Sequence, residues 1–437
     1  MAVKRFLLLG LLLCSFAAQA TPEIQSWNTT NGAKVLFVEA PELPMIDVRV
    51  VFDAGSARDG EIPGLARMTN SMLTEGAGSW NADEIAERIE SVGANLSAES
   101  FRDMSVVSLR SLTDKKVLKQ ALQTMATVIA YPTFEQAALN RNIQALKISL
   151  RQEEQSPSDI ASKAFYKTMY DGHPYAHPSN GTKESIPFLK RDAVKKFHEN
   201  YYVGSNATIA IVGAVDTDQA RSIAEQVIGS LPEGIKPASI EKVSVDNTIT
   251  VNRIDFPSTQ AHLYIGMPVL KRGDPDYFAL YVGNHILGGS GLVSKISNEI
   301  REKRGLAYSA YSYFSPMKDA GPFMIGLQTK NSQVVEAEEV VLETVKEYIQ
   351  QGPTQEELKK SLQNITGGFP LRVSSNGKIV EYLAMIGFYD LPLDYLDNFV
   401  SNVEQVTVEK IRDAFKRRVS PNIFPRLLLV SFRKADG

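Results

Sequence analysis

The sequence predicts two related domains of mixed α/β (or α+β) architecture behind an export leader, and three observations carry that prediction. Short patterns recur at about half the chain length, strand-like apolar runs alternate with long helical patterns, and the first twenty residues differ in character from everything after them. With 437 residues, of which 43% are hydrophobic and 22% charged, the chain has ample apolar material for more than one core.

The leader comes first. Lys4 and Arg5 precede the apolar run FLLLGLLLCSFA, which ends in Ala18-Gln19-Ala20, the layout of a cleavable secretory signal peptide over residues 1–20. The leucines before Cys14 lack the small residue of a lipoprotein processing site. Cleavage after Ala20 removes the single cysteine, so the mature chain is expected to hold together by core packing without a disulfide. No later segment reaches the ~18 apolar residues of a membrane span. Loss of Lys4 and Arg5 takes the formal charge from −3 to −5, which offers no general attraction to nucleic acid or anionic lipid. A periplasmic location is the expectation.

The repeat organises the rest. Pro132-Thr133 opens PTFEQAALNRNIQALK and Pro353-Thr354 opens PTQEELKKSLQNIT, a spacing of 221 residues. In each, Thr followed three residues later by Gln136 or Glu357 predicts a capping box at a helix start. A second pair, RDAVKKFHENYYVGSNATIAIVG (191–213) and VEKIRDAFKRRVSPNIFPRLLLVS (408–431), reads twice as basic amphipathic helix, turn and apolar strand. Strands are also expected at VRVVF (48–52), SVVSLRSL (105–112) and HLYIGM (262–267). The Pro-, Gly- and Ser-bearing stretch 231–246 separates the copies, giving expected domains at 21–235 and 236–437.

GLARMTNSMLTEGAG (64–78) is the start of a helix that buries Leu65, Met68, Met72 and Leu73 and places Arg67, Asn70 and Ser71 together on the opposite face. Taken alone, those three residues read as a solvated helix face. The mature chain has five histidines, and His173 and His177 are four apart, but Pro174 and Pro178 argue against one regular helix through them. Glu153 and Glu154 likewise read as a solvated face. No G-x-S-x-G elbow and no mature cysteine supports a serine or cysteine peptidase, and GGSG (288–291) reads as a turn entering a helix.

These blocks resemble the pitrilysin/insulinase family of zinc peptidases. The similarity runs through AGSARDGEIPGLAR (54–67), SMLTEGAGSWNADEIAERIESVGANLSAES (71–100), LRQEEQSPSDIASKAF (150–165), HPYAHPSNGTKESI (173–186), LGGSGLVSKISNEIREKRGLAYSAYS (287–312) and GGFPLRVSSN (367–376), in order across nearly the whole mature chain. It implies two homologous domains, each a mostly antiparallel mixed sheet with flanking helices. In that family an inverted H-x-x-E-H motif binds zinc and positions a general base. Carried over by position, Arg67 and Ser71 stand at the two histidines, Asn70 at the glutamate and Ser149, eight residues before Pro157, at the distal carboxylate ligand. A guanidinium repels a cation, an amide is a poor base, and neutral hydroxyls are weak zinc ligands, so no metal is expected in this chain.

The resemblance also implies what remains. Arg301 and Tyr308 match, by their spacing, an arginine and tyrosine of the family's C-terminal half that reach across to a zinc site, while outside that family context they read as a surface arginine and a core tyrosine. Residues 95–112 match strands that bind extended peptide by strand addition at a sheet edge. The implied function is a non-catalytic subunit of a zinc peptidase, with peptide as substrate, zinc in a catalytic partner of the same family, and a homodimer as a further possibility. The alternatives are a stand-alone peptide-binding or scaffold protein on the same fold and, third, an enzyme with relocated chemistry.

Overall fold

The computed structural model of the protein describes residues 23–244 and 250–420 and the backbone of 426–430. The expected signal peptide, residues 1–20, lies outside the described residues. In the N-terminal half the strands are β1 (Gln25–Asn28), β2 (Lys34–Glu39), β3 (Met45–Phe52), the small hairpin β4 (Gly76–Ala77) and β5 (Trp80–Asn81), β6 (Asn95–Ser100), β7 (Ser105–Leu112) and β8 (Ala207–Gly213). Six of them form one sheet in the order β1-β2-β8-β3-β7-β6. The C-terminal half contributes β9 (Val251–Asp255), β10 (Gln260–Leu270), β11 (Ala307–Phe314), β12 (Gly321–Lys330) and β13 (Arg426–Val430), ordered β11-β12-β10-β13-β9.

The two sheets share one plan. β2 pairs with β8 in parallel and β9 with β13 in parallel, while the other pairs in both sheets are antiparallel. β8 and β13 follow the two helices whose recurrence the sequence displays, Arg191–Tyr201 and Val408–Arg418. The sequence repeat is thus a repeat of topology, with β1 added at one edge.

Burial patterns explain why each strand sits where it does. All seven residues of β8, ATIAIVG, are buried, as a central strand covered on both faces requires. One face of its sheet carries Val35, Phe37, Val48 and Val50 into a core with the helices of its own half. The other face presents Leu36, Val51, Ala210 and Val212 to Ile379, Val380 and Leu383 of the Asn376–Phe388 helix from the opposite half. The exchange is reciprocal: the Pro157–Met169 helix places Phe165 and Met169 against Tyr264 and Met324 of the C-terminal sheet. Gly387 permits the first of these contacts, because a Cβ there would lie 2.5 Å from Leu36 Cδ1 and from Thr208 Cγ2. Two halves that each lend a helix to the other's sheet bury a continuous apolar interface and pack as one body.

Thr354 caps the Gln355–Arg372 helix in the expected box with Glu357. The matching expectation at Thr133 fails. Thr133 N donates to Gly76 O at 2.9 Å, Phe134 turns the chain with a φ of 51°, and the Gln136–Glu153 helix starts only after Glu135, without a side-chain cap.

Candidate functional site

The motif helix, Leu65–Ser71, is pinned at its start. Gly64 adopts a φ of 90°, and a Cβ on it would sit 2.8 Å from Gly181 Cα, so its conformation and its surroundings both call for glycine. Asp59 accepts from Gly64 N and Ala66 N, each at 2.7 Å. Burial pushes this carboxyl up to about 7 against the two backbone bonds. The folded state therefore keeps a proton that the unfolded chain releases near 3.8. Stability is expected to fall as pH rises from about 4 to about 7 and then to level off, by about 4 kcal/mol in all. Asp59→Asn should flatten that slope, and unfolding midpoints across pH measure it; an unchanged slope would place the titration elsewhere.

Arg67, Asn70 and Ser71 do not share a solvated face. Arg67 is exposed and Ser71 half-buried, but Asn70 is only 1% exposed. The short helix is sandwiched between the β6–β7 strands and the Arg191–Tyr201 helix, which leaves it little free surface. The Asn70 amide donates to Val106 O at 3.4 Å and Tyr202 Oη at 3.3 Å, two long contacts that place it as a bridge between sheet and helix. Ser71 Oγ turns back onto Met68 O at 2.9 Å.

Ser149 lies on the neighbouring helix, Gln136–Glu153. Arg141 of that helix meets Glu75 at 2.9 Å, while Glu153 at its far end bonds Asn180 beside Gly64. The two helices consequently run antiparallel, and at 1.5 Å per residue Ser149 falls on the stretch alongside Arg67–Ser71. Arg67, Asn70 and Ser71 share this short helix, and Ser149 lies on the helix that runs antiparallel to it. Their chemistry does not fit zinc: one fixed cation, one amide committed to the core and two hydroxyls supply no anionic ligand and no base. Glu153 is no substitute, since it is largely buried and paired with Lys163 rather than solvated. Glu154 keeps an exposed position and pairs with Lys183 at 2.5 Å.

Among the described residues no group of three or more His, Cys, Asp or Glu side chains is placed to share a cation. His173 and His177 flank a single turn, Pro174–Ala176, as their prolines predict. His173 uses both ring nitrogens on backbone, receiving Tyr175 N at 3.1 Å and meeting Glu241 O at 2.9 Å.

Arg301 sits in the π-turn Asn298–Glu302, with Nε 3.5 Å from Glu302 Oε1. Tyr308 lies on β11, an edge strand, where the pairing with β12 slips between Ala307 and Ser309. This bulge leaves Tyr308 without a cross-strand partner and turns it outward, 88% exposed. It is no core tyrosine. β6 forms the corresponding edge of the first sheet, with alternately exposed and half-buried residues along its length.

Sequence reading missed the polar centre between the halves. Asp103, in the turn between β6 and β7, accepts from Tyr175 Oη at 2.7 Å, Lys318 N at 2.8 Å and Tyr389 Oη at 3.0 Å. Next to it Asp53 is gripped by the Arg58 fork at 2.9 and 2.7 Å and by Lys318 Nζ at 2.5 Å. Burial alone would raise Asp53, but these two cations outweigh it and hold the carboxyl below its ordinary value. Nothing periodic marks these residues, which lie up to 286 positions apart.

Comparison with known proteins follows this geometry. Residues 34–183 match the family model for insulinase (peptidase family M16), and residues 189–365 match that for the peptidase M16 inactive domain. A solved structure of a peptidase M16 inactive domain from Pseudomonas fluorescens is 39% identical with a TM-score of 0.91, covering 94% of this chain and 98% of that one. A "non-peptidase homolog YmxG" of Helicobacter pylori is 26% identical over 99% of this chain and 100% of its own length. An "uncharacterized zinc protease YmxG" of Bacillus subtilis is 25% identical over 89% of this chain and 94% of its own. This chain belongs to the M16 insulinase family as an inactive, non-peptidase type of homologue.

Proposed function

We propose that this protein is the non-catalytic subunit of a periplasmic zinc peptidase, in which a second chain of the same family carries intact H-x-x-E-H and the metal. This chain supplies Arg301 and Tyr308 to the partner's site and helps to hold peptide along an exposed sheet edge. The observation that carries the reading is the contrast between the two surfaces. The catalytic position of the degenerate motif, Asn70, is absorbed into packing, whereas Tyr308 is turned out on a bulge with no hydrogen bond to its hydroxyl among the described residues. An exposed tyrosine costs apolar burial and gains nothing within this chain. The forked guanidinium of Arg301, seven residues earlier, can hold a peptide carbonyl, and the phenol can donate to an oxygen that gains charge. The edges β6 and β11 offer free backbone groups for an extended chain.

Affinity isolation of the tagged mature chain from periplasmic extract tests this directly. A stoichiometric M16 chain with intact zinc ligands is the expected companion. Recovery of this chain alone, as monomer or homodimer, would favour the scaffold reading instead.

A further inference from the structure

Between the two halves lies a cleft of about 600 Å³ that none of Arg67, Asn70, Ser71 and Ser149 lines. Among the described residues its wall carries seven Lys or Arg side chains and three Asp. The imbalance is local, since the whole chain is slightly acidic. Lys34 is satisfied by Asp390 at 2.9 Å, and Arg58 and Lys318 share Asp53. Asp319 accepts through Oδ1 from Val243 N at 3.1 Å and Ala320 N at 2.7 Å, and no Lys or Arg is within ion-pair distance of it among the described residues. Lys236, Lys242, Lys271 and Arg272 are left, and none is within ion-pair distance of a carboxylate among the described residues.

These four cations come from separate parts of the chain. Lys236 and Lys242 belong to the segment joining the halves, and that segment is tethered on both sides of Lys242. Glu241 O meets His173 of the N-terminal half, and Val243 N donates to Asp319 of the C-terminal half. Lys271 and Arg272 directly follow β10, where Arg272 N donates to Met317 O at 2.8 Å and fixes the strand end against the turn that bears Lys318. Arg272 Nε is buried with no acceptor, while the guanidinium carbon lies 5.5 Å from the centre of the Tyr389 ring. Seating the joining segment against the C-terminal half thus gathers like charges without an ion-pair partner, which opposes that contact unless an anion enters.

We propose that this cleft binds a small, multiply charged phosphoryl anion of the polyphosphate type. Three lysine ammonium groups act as mobile point charges and one guanidinium as a fork, the donor set suited to clustered phosphoryl oxygens. The volume suits a compact ligand rather than a folded partner. Its ligands come from the C-terminal half and the segment that joins the halves, so occupancy ties that segment to the second half and raises stability by linkage.

Calorimetric titration of the full mature chain with sodium tripolyphosphate tests the assignment. Saturable binding at one site is expected, with a higher melting temperature in the presence of the probe. Lys236→Glu/Lys271→Glu, at two exposed positions, should weaken it by about tenfold or more. Lys116→Glu/Lys359→Glu makes the same change in net charge on remote surfaces and should leave affinity within about twofold. Unaltered melting of both double variants without the probe shows that they fold. Equal weakening by the two pairs, or no saturation at millimolar probe, overturns the site. Tighter binding of pentaglutamate than of tripolyphosphate also overturns it, because the cleft would then be a subsite for acidic peptide.

Discussion

Tyr308→Phe is expected to lower turnover of the assembled peptidase by about 10² to 10³-fold while leaving the complex intact. The substitution deletes one hydroxyl and keeps the ring, and an 88% exposed side chain on a bulged edge strand has no packing to lose. A defect in turnover without a defect in assembly can then come only from the lost donor. Arg301→Ala should differ in kind, raising KM as well as lowering turnover, because the guanidinium would hold substrate before and during reaction. Steady-state kinetics of the reconstituted pair separate the two. Near-normal turnover with both substitutions together would make these residues structural and favour a scaffold protein.

Asp103→Ala is expected to cost about 3 to 5 kcal/mol of folding stability. It orphans two buried phenol hydroxyls and a backbone N–H in one step, and its partners Tyr175, Lys318 and Tyr389 come from both halves. Asp103→Asn should cost less, since one carbonyl oxygen remains to accept while the phenols can rotate. Denaturant unfolding followed by tryptophan fluorescence and circular dichroism gives the number. A loss below about 1 kcal/mol would mean that water replaces the carboxylate at little cost and that the apolar helix exchange alone holds the halves.

The sequence made the repeating elements legible and left the encounters between them unseen. SVVSLRSL coincides with β7 because its alternation matches one covered face, and the Thr354 box is a local interaction complete within four residues. The Thr133 box failed because a long-range bond to Gly76 and the turn at Phe134 competed with it. Asn70 was misplaced on a polar face because a seven-residue helix enclosed by sheet and helix buries nearly its whole circumference, which periodicity alone does not reveal. Glu153 read as solvated because its partners Lys163 and Asn180 stand 10 and 27 residues away, and the Asp103 centre escaped for the same reason on a larger scale. The link between Ser149 and the Arg67–Ser71 helix came from family resemblance alone. The exposure of Tyr308 depends on a register slip that no pattern of residues announces.

The most direct test of a non-catalytic subunit is the rate of chelator-sensitive hydrolysis of an unstructured peptide, measured for this chain alone, for its M16 companion alone and for the two combined. The account predicts no rate above background for this chain and a combined rate well above that of the companion by itself. Chelator-sensitive cleavage by this chain alone, lost on changing Ser71 or Ser149, would contradict it, and so would a companion that is equally active with and without this chain.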